Sequence, residues 1–424
     1  MTFLRGFAYI GDVLHAGSVP LERIAETEGT PAYVYNLDAI RLAYEEYRDA
    51  FSPWKHLACY AVKANSTAAV LRTLEGAEAG FDVNSAGELF RVLRAGADPQ
   101  KVVMTGVGKT NRDIEAGVDA GILLFNAESV EECLRINAVA RDRGSIAQAL
   151  LRINPDVPTD THPGIATGSA EHKFGISQAS AMRALPDLSS LPNLRIAGFG
   201  MHLGSMLFEA GPYAAGLKML TELADVSAGL LSGSGRFLNI GGGIGVPYKA
   251  GDPVFPAAEL ASDLSQLLDG LRARGVVLLS EPGRCIVANS GVLLTRVEYV
   301  NKERGRVFLI IDAGMNDLLR PMLYAAHHEI LPVRRRSDRD ETRCEIAGPV
   351  CESTDVFATA RTIREVKPGE LLAICSAGAY GASMSSVYNS RPLAVEVAVS
   401  GGKRFVARRR QTFEQLVENE TAAP

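Results

Sequence analysis

Short apolar runs punctuate much of the chain at regular intervals: Leu57–Val62, Gly80–Val83, Val102–Thr105, Ile122–Phe125, Ala149–Ile153, Ile196–His202, Phe237–Ile240 and Val276–Leu279. Several are apolar at every position, the pattern of parallel strands covered on both faces. Between them apolar residues recur three and four apart, as in AGELFRVLR (Ala86–Arg94) and SVEECLRINAVA (Ser129–Ala140), which predicts helices. Alternation of strand and helix over this span fits an α/β fold of the (β/α)8 TIM-barrel type in length and unit count. An open, doubly wound sheet is the architectural alternative.

The texture changes after Glu281. Cys285–Val300, Arg306–Ile311, Leu371–Ile374 and Leu393–Val399 are rich in β-branched residues, and several alternate with period two. This predicts a second, β-sandwich or β-barrel-like domain. The division expected from sequence is a barrel over residues 35–281 and a β domain from residues 1–34 and 282–424, with Phe7–Gly11 supplying a returning strand. The tail from Gln411 reads as a short exposed helix with a frayed end.

Composition narrows the function. A net charge of -5 and only short arginine runs (Arg334–Arg336, Arg408–Arg410) argue against a nucleic-acid partner. No apolar stretch approaches the length of a membrane span, and the start lacks the pattern of a signal peptide. The six cysteines are scattered without a C-x-x-C pair, which fits a reducing cytoplasm and offers no metal-binding spacing.

Candidate chemistry falls where barrel strands end, because the loops there share one mouth. Lys63 follows the apolar LACYAV, and a desolvated lysine amine is a carbonyl nucleophile; a solvent-facing lysine is the bland alternative. Asp82 in GFDVNSAGE, Arg152 in LLRINPD, His202 in GFGMHLGS and Glu281 in LLSEPGR occupy other strand ends. A histidine and a glutamate so placed could stack on, and pair with, the ring of an aromatic cofactor. They could equally be a satisfied core histidine and an ion-pair partner of Arg284. Gly241, Gly242 and Gly243 follow the strand FLNI, where bare backbone N–H groups can approach an anion, with Ser205 and Arg284 at neighbouring ends. The spacing matches neither a Rossmann fingerprint nor a Walker loop. In the β region, DAGMNDLLRPMLY holds Arg320 and Tyr324, GPVCESTD holds Cys351 beside Glu352, and GAYGASMSSVYNSRP holds Tyr380. Arg320 suits a carboxylate, Glu352 an ammonium and Cys351 proton delivery; a polar sheet surface over a buried cysteine is the other reading.

Taken together these segments resemble the diaminopimelate decarboxylase family of fold-type III, alanine-racemase-like enzymes. The resemblance spans nearly the whole chain and is carried by YAVKAN (Tyr60–Asn65), GFDVNSAGEL (Gly80–Leu89), HKFGI (His172–Ile176), MHLGS (Met201–Ser205), Gly241–Gly245, EPGR (Glu281–Arg284), RPMLY (Arg320–Tyr324), Gly348–Asp355 and Gly378–Pro392. It implies a pyridoxal 5'-phosphate (PLP) enzyme, a carboxy-lyase converting meso-2,6-diaminopimelate to L-lysine and CO2, the last step of lysine biosynthesis, with no metal. Lys63 would anchor the cofactor covalently, His202 stack on its ring and Glu281 face its ring nitrogen. Asp82 and Arg152 would support these groups, while Ser205, Gly241–Gly243, Pro282, Gly283, Arg284 and Tyr380 would line the cofactor and its phosphate. Arg284, Arg320, Tyr324, Glu352 and Tyr380 would bind the substrate. The resemblance also implies a homodimer with shared active sites, Cys351 and Glu352 reaching the partner subunit. A decarboxylase for ornithine, arginine or a carboxylated polyamine is the enzymatic alternative, and a PLP-binding regulatory homologue without turnover is the alternative from another class. The chain departs from the family pattern at Ala325, where many relatives carry an acid, at His327-His328, where Tyr-His is commoner, and at Thr354, where Gly is usual.

Overall fold

Gly11 and Gly17, both at positive φ, reverse the chain twice near its start. Strands β1 (Phe7–Ile10), β2 (Val13–Ala16) and β3 (Val19–Pro20) therefore form a small antiparallel sheet. The computed structural model describes residues 3–156 and 173–421. After the helix Leu21–Glu28, strand β4 (Ala32–Asn36) is buried along its whole length.

Eight parallel strands then close on themselves: β5 (His56–Ala61), β6 (Gly80–Val83), β7 (Val102–Met104), β8 (Leu124–Ala127), β9 (Ala147–Arg152), β10 (Leu194–Gly200), β11 (Phe237–Asn239) and β12 (Val277–Ser280). Each coincides with one of the eight expected runs to within a few residues, and pairing of β12 with β5 excludes the open sheet. Cys59, Val103, Leu124, Leu150, Ala197, Phe237 and Leu279, one from each of seven strands, form a single buried cluster, so the barrel is a packed core and not a pore. Ser85 and Ser129 accept hydrogen bonds from the N–H groups of Glu88 and Glu132, fixing where Ala86–Ala95 and Val130–Asp142 begin. Such caps contribute about 1 kcal/mol each.

The remaining strands are β13 (Gly291–Glu303), β14 (Arg306–Ile311), β15 (Ile330–Pro332), β16 (Glu341–Ala347), β17 (Val356–Arg364), β18 (Leu371–Ile374), β19 (Val395–Ser400) and β20 (Lys403–Arg408). They join β4 in a nine-stranded sheet with order β17-β16-β14-β13-β4-β19-β20, while β18 pairs with β13 and β15. Phe7, Leu14, Leu21 and Ile24 pack with Val34, Val292, Leu294, Val397 and their neighbours in one core. The segment from Cys285 expected as strand is helical at first, over Arg284–Val287 and Ala288–Ser290, and extends only from Gly291.

By its contacts the chain divides into a barrel unit (Leu42–Gly245 and Pro253–Cys285) and a β unit (Met1–Arg41, Val246–Asp252 and Ile286–Pro424). The sequence placed these boundaries at 35 and 281. β4 pairs with β13 and β19, which keeps the chain in the sheet to Asn36. Val246–Asp252 joins the β unit, and Pro247 O there accepts from Asn289. No helix among the described residues is long and apolar enough to cross a membrane.

Gly198 tests the barrel's tolerances. The register of β9 against β10 shifts there, φ is +149°, and a Cβ would fall on the carbonyl of Phe237. Gly198→Ala is expected to destabilise the protein by about 2–4 kcal/mol through strain and overpacking, read as a lower denaturant midpoint with an unchanged slope.

Candidate active site

Strand β5 ends in the 3-10 turn Val62–Ala64, which carries Lys63 past the strand's carboxyl end. Ala61 pairs with Asp82 of β6, so the two side chains share one rim. Lys63 Nζ lies 3.7 Å from Asp82 Oδ2, with the carboxylate fully buried and the lysine side chain 39% exposed. The amine is thus reachable from outside while its counter-ion is not.

Glu281, directly after β12, is buried, and its Oε1 accepts from the side-chain amides of Asn126 (2.8 Å) and Asn239 (2.6 Å). Asn239 also holds the next turn, accepting from the N–H of Gly241 (2.8 Å), whose carbonyl accepts from Glu281 N (2.7 Å). Burial, and secondly the charge of Asp82, raise the Glu281 carboxyl well above the ordinary carboxylate range, with Lys63 opposing. Burial likewise raises Asp82, again opposed by Lys63.

His202 lies two residues beyond β10. Its Nδ1 faces the backbone N–H of Gly242 at 3.1 Å; a backbone N–H can only donate, so Nδ1 is the acceptor and the ring proton sits on Nε2. Burial first, then the cations of Lys63 and Arg152, depress the His202 pKa and keep the imidazole neutral. A neutral flat ring suits stacking.

The glycine turn is required by packing. Gly241 and Gly243 have φ of +70° and +109°, and a Cβ on Gly242 would collide with the Glu281 carbonyl. Tyr213 Oη donates to Gly242 O at 2.9 Å. Pro282 O accepts from Ala61 N (2.9 Å), and a Cβ on Gly283 would lie 3.0 Å from that of Ala61, so this segment is tied to the lysine's own strand. Arg284 donates to Ser205 Oγ at 3.0 Å. A guanidinium, a hydroxyl and bare backbone form an anion-binding donor set.

Arg152 is buried at the end of β9, donating to Glu128 Oε1 at 2.7 Å, with its guanidinium 4.8 Å from the Phe174 ring. Glu128 Oε2 also accepts from Gly175 N (3.0 Å). His172, the first residue of HKFGI, lies outside the described residues.

These residues fit the PLP that the sequence implies. The rim offers a reachable amine, a neutral ring, an anion cradle, and a buried carboxylate whose raised proton affinity a positively charged ring N–H would relieve.

In the β unit, three segments picked out separately come together. Asp355 accepts from Met315 N and Val350 N (both 2.8 Å), and any side chain on Gly348 would strike its carboxylate. Cys351 N donates to Asn389 Oδ1 (3.1 Å), Ser386 N to Asn316 O (2.8 Å), and the Tyr388 hydroxyl is bonded to Glu352. Cys351 and Glu352 themselves are exposed. Thr354, the departure from Gly, donates to Glu352 Oε1 at 3.0 Å and is not among the residues at positive φ. Tyr380 is half-buried at φ +55°. Arg320 is buried and opens the helix Arg320–Tyr324, which Ala325 closes at φ +50°; Tyr324 is half-buried.

The sequence reading missed Asn126, Asn239, Glu128 and His328 as partners of site residues. The first two carried a signal: each is a lone amide inside an apolar strand, in LLFNA and FLNI. Glu128 had none beyond its acidity, and its ties to Arg152 and Gly175 are visible only in three dimensions.

Residues 37–288 match the family model described as "Pyridoxal-dependent decarboxylase, pyridoxal binding domain". A curated diaminopimelate decarboxylase from Pseudomonas aeruginosa is 45% identical over 99% of both chains. Among solved structures, the diaminopimelate decarboxylase of Helicobacter pylori complexed with L-lysine aligns at TM-score 0.89 with 38% identity, over 94% of this chain and 99% of that one. The diaminopimelate decarboxylase from "m. jannaschi" aligns at TM-score 0.93 with 31% identity, over 99% of this chain and 98% of that one.

A raised folded-state pKa means that Glu281 favours the folded state most below its unfolded pKa of about 4.3 and loses that contribution as pH rises through the folded value. In cofactor-free protein, Glu281→Gln keeps an oxygen for Asn126 and Asn239 but sheds the charge. It is expected to melt at a higher temperature than the parent at about pH 8, with the gap narrowing toward about pH 4. Equal melting at both pH values would show that the carboxylate carries no burial cost.

Proposed function

The chain belongs to the diaminopimelate decarboxylases, PLP-dependent carboxy-lyases, and from that premise we propose how its own residues conduct the reaction and what assembly completes the site. The reaction is decarboxylation of meso-2,6-diaminopimelate to L-lysine and CO2, the last step of lysine biosynthesis. The observation that carries the assignment of roles is the gathering of Lys63, Asp82, His202, Gly241–Gly243 and Glu281 on one rim of the barrel.

Bound PLP supplies an electron-poor ring that accepts the electron pair left when the Cα–carboxylate bond breaks. Lys63 would hold it through its amine, and the substrate's amine would take that place. Glu281, held by Asn126 and Asn239, would keep a proton on the ring nitrogen and so keep the ring electron-poor. His202 stacks as a neutral ring. Ser205, the glycine turn, Arg284 and Tyr380 hold the phosphate. Arg320 and Tyr324 grip the carboxylate at the substrate's unreacting end and Glu352 its ammonium, which disfavours amino acids lacking that end, because a buried arginine would lose its partner. Cys351 delivers the proton that replaces CO2 at Cα.

Cys351 and Glu352 act in the active site of a second copy of the chain, so the working unit is a homodimer. Their exposure on the β unit supports this reading. The six free cysteines, four of them buried, support a cytoplasmic location.

Incubating the PLP-loaded protein with meso-diaminopimelate, L-ornithine, L-arginine and L-lysine in parallel is expected to release CO2 from the first alone, with L-lysine formed in equal amount. Turnover confined to another amino acid would overturn the substrate, and no turnover of any would favour a regulatory protein.

Lys63→Ala should lose both turnover and the visible absorbance of lysine-linked cofactor, whereas Cys351→Ala should keep the absorbance and lose about 10²-fold in kcat. Mixing the two variants under subunit exchange should restore roughly a quarter of parental activity, since half the dimers are mixed and each has one intact site. No recovery, with exchange shown by mass, would exclude the shared site.

A further inference from the structure

Two adjacent histidines in the β unit have different surroundings. His327 is half-buried and faces the charged side chains of Glu329 (3.3 Å) and Arg361 (3.4 Å). His328 is fully buried. Its Nδ1 lies 2.7 Å from the backbone carbonyl of Cys375 and its Nε2 lies 2.9 Å from an η-nitrogen of Arg320.

Both neighbours are chemically one-way. A carbonyl oxygen can only accept and a guanidinium can only donate, so Nδ1 must carry the proton and Nε2 must present its lone pair. The tautomer is therefore fixed by the partners, and only the neutral ring satisfies both. The carbonyl is itself immobilised: Cys375 N donates to Glu329 O (2.8 Å), and Ile330 pairs with Ile374 in the adjoining strands. On its other side the Arg320 guanidinium lies 4.8 Å from the Tyr248 ring, and that ring meets His328 edge-on, with centroids 5.1 Å apart at 78°. Arginine, imidazole and phenol thus meet in the buried interior of the β unit. The imidazole thus supplies a fixed acceptor for the guanidinium and the phenol ring a face beside it.

We propose that His328 is a positioning residue for recognition of the substrate's unreacting carboxylate, acting through Arg320 as the fixed acceptor that aims its guanidinium. The inference rests on the reading of Arg320 as the carboxylate grip, and it adds a determinant of specificity one step removed from the ligand. The lost degrees of freedom are those a long arginine side chain would otherwise surrender on binding, so the effect falls on affinity for the amino-acid end and leaves the bond-breaking step alone.

Two substitutions separate the halves of the imidazole. In His328→Asn the side-chain amide reaches the position of Nδ1 and can still serve the Cys375 carbonyl, but the acceptor for Arg320 is gone. In His328→Gln the amide oxygen reaches the position of Nε2, restoring that acceptor. With PLP-loaded dimer, His328→Asn is expected to raise KM for meso-diaminopimelate by about tenfold with kcat changed less than about threefold, and His328→Gln to recover most of the loss.

Calorimetry supplies a readout independent of turnover. L-lysine, which keeps the intact amino-acid end, should bind His328→Asn about tenfold more weakly than it binds the parent, while cadaverine, which lacks that carboxylate, should bind both alike. Thermal melting of each variant checks the fold. Equal weakening of lysine and cadaverine, or equal defects in the Asn and Gln variants, would assign His328 a purely structural role and overturn the proposal. Arg320→Gln is measured alongside. If it leaves the KM and the lysine affinity unchanged, the reading of Arg320 falls; if it weakens both while His328→Asn does not, that reading stands and the positioning role falls.

Discussion

A closed barrel of parallel strands has one rim on which all the carboxyl ends meet, and the chemistry of this protein depends on that constraint. Lys63, Asp82, His202, Gly241 and Glu281 are separated by up to 218 positions in sequence, yet each lies at or just beyond a strand end, and strand register sets their spacing. Loops alone could not hold a lysine amine 3.7 Å from a fully buried carboxylate, because freely moving chain would let water reach the acid. The side chains that fill the barrel beneath the rim are apolar and closely packed. The polar groups above them therefore sit at an abrupt dielectric step, and burial dominates the shifts of Asp82, His202 and Glu281 alike.

That step decides which protonation states the rim favours. Two carboxylates with raised proton affinity face one reachable lysine, while the histidine between them and the glycine turn is held neutral. Such a site favours positive charge at Glu281 and offers a flat uncharged ring at His202. On the proposed roles, a protonated pyridine nitrogen would answer the first and the cofactor's ring the second. Burial that is unfavourable for the isolated protein would thereby become binding energy for the cofactor, the usual direction of exchange between stability and function at an active site.

Much of this was legible in the chain because the relevant signals are local. Eight apolar runs with helical intervals gave the barrel, and a polar residue after each of several runs gave the rim. Element boundaries were less legible. The strand expected from Cys285 begins at Gly291, because EPGR leads into a short helical segment that apolar content alone does not distinguish from a strand. The place of β4 has a tertiary cause, since its partner strands lie more than 250 residues away. Partners such as Glu128 and His328 were illegible in the same way: what defines them is the direction of a hydrogen bond to a residue remote in sequence or on another element, and no periodicity encodes that.

The β unit applies a different physical strategy to specificity. On the proposed roles, charge and burial would do the selecting at the barrel rim, and around Arg320 the selecting group would be aimed by His328, whose hydrogen-bonding sense is fixed. A charged partner would orient the guanidinium more strongly but would also compete with the carboxylate it is meant to bind. An imidazole acceptor and an aromatic face avoid that competition. Ala325 fits the same logic. An acid at that position, directly after the helix that begins with Arg320, would place negative charge near a site built to receive a carboxylate, favouring a substrate that ends in an amine. Alanine, accommodated at φ +50° as the helix cap, adds no such charge and would keep the local field suited to a substrate with an intact amino-acid end.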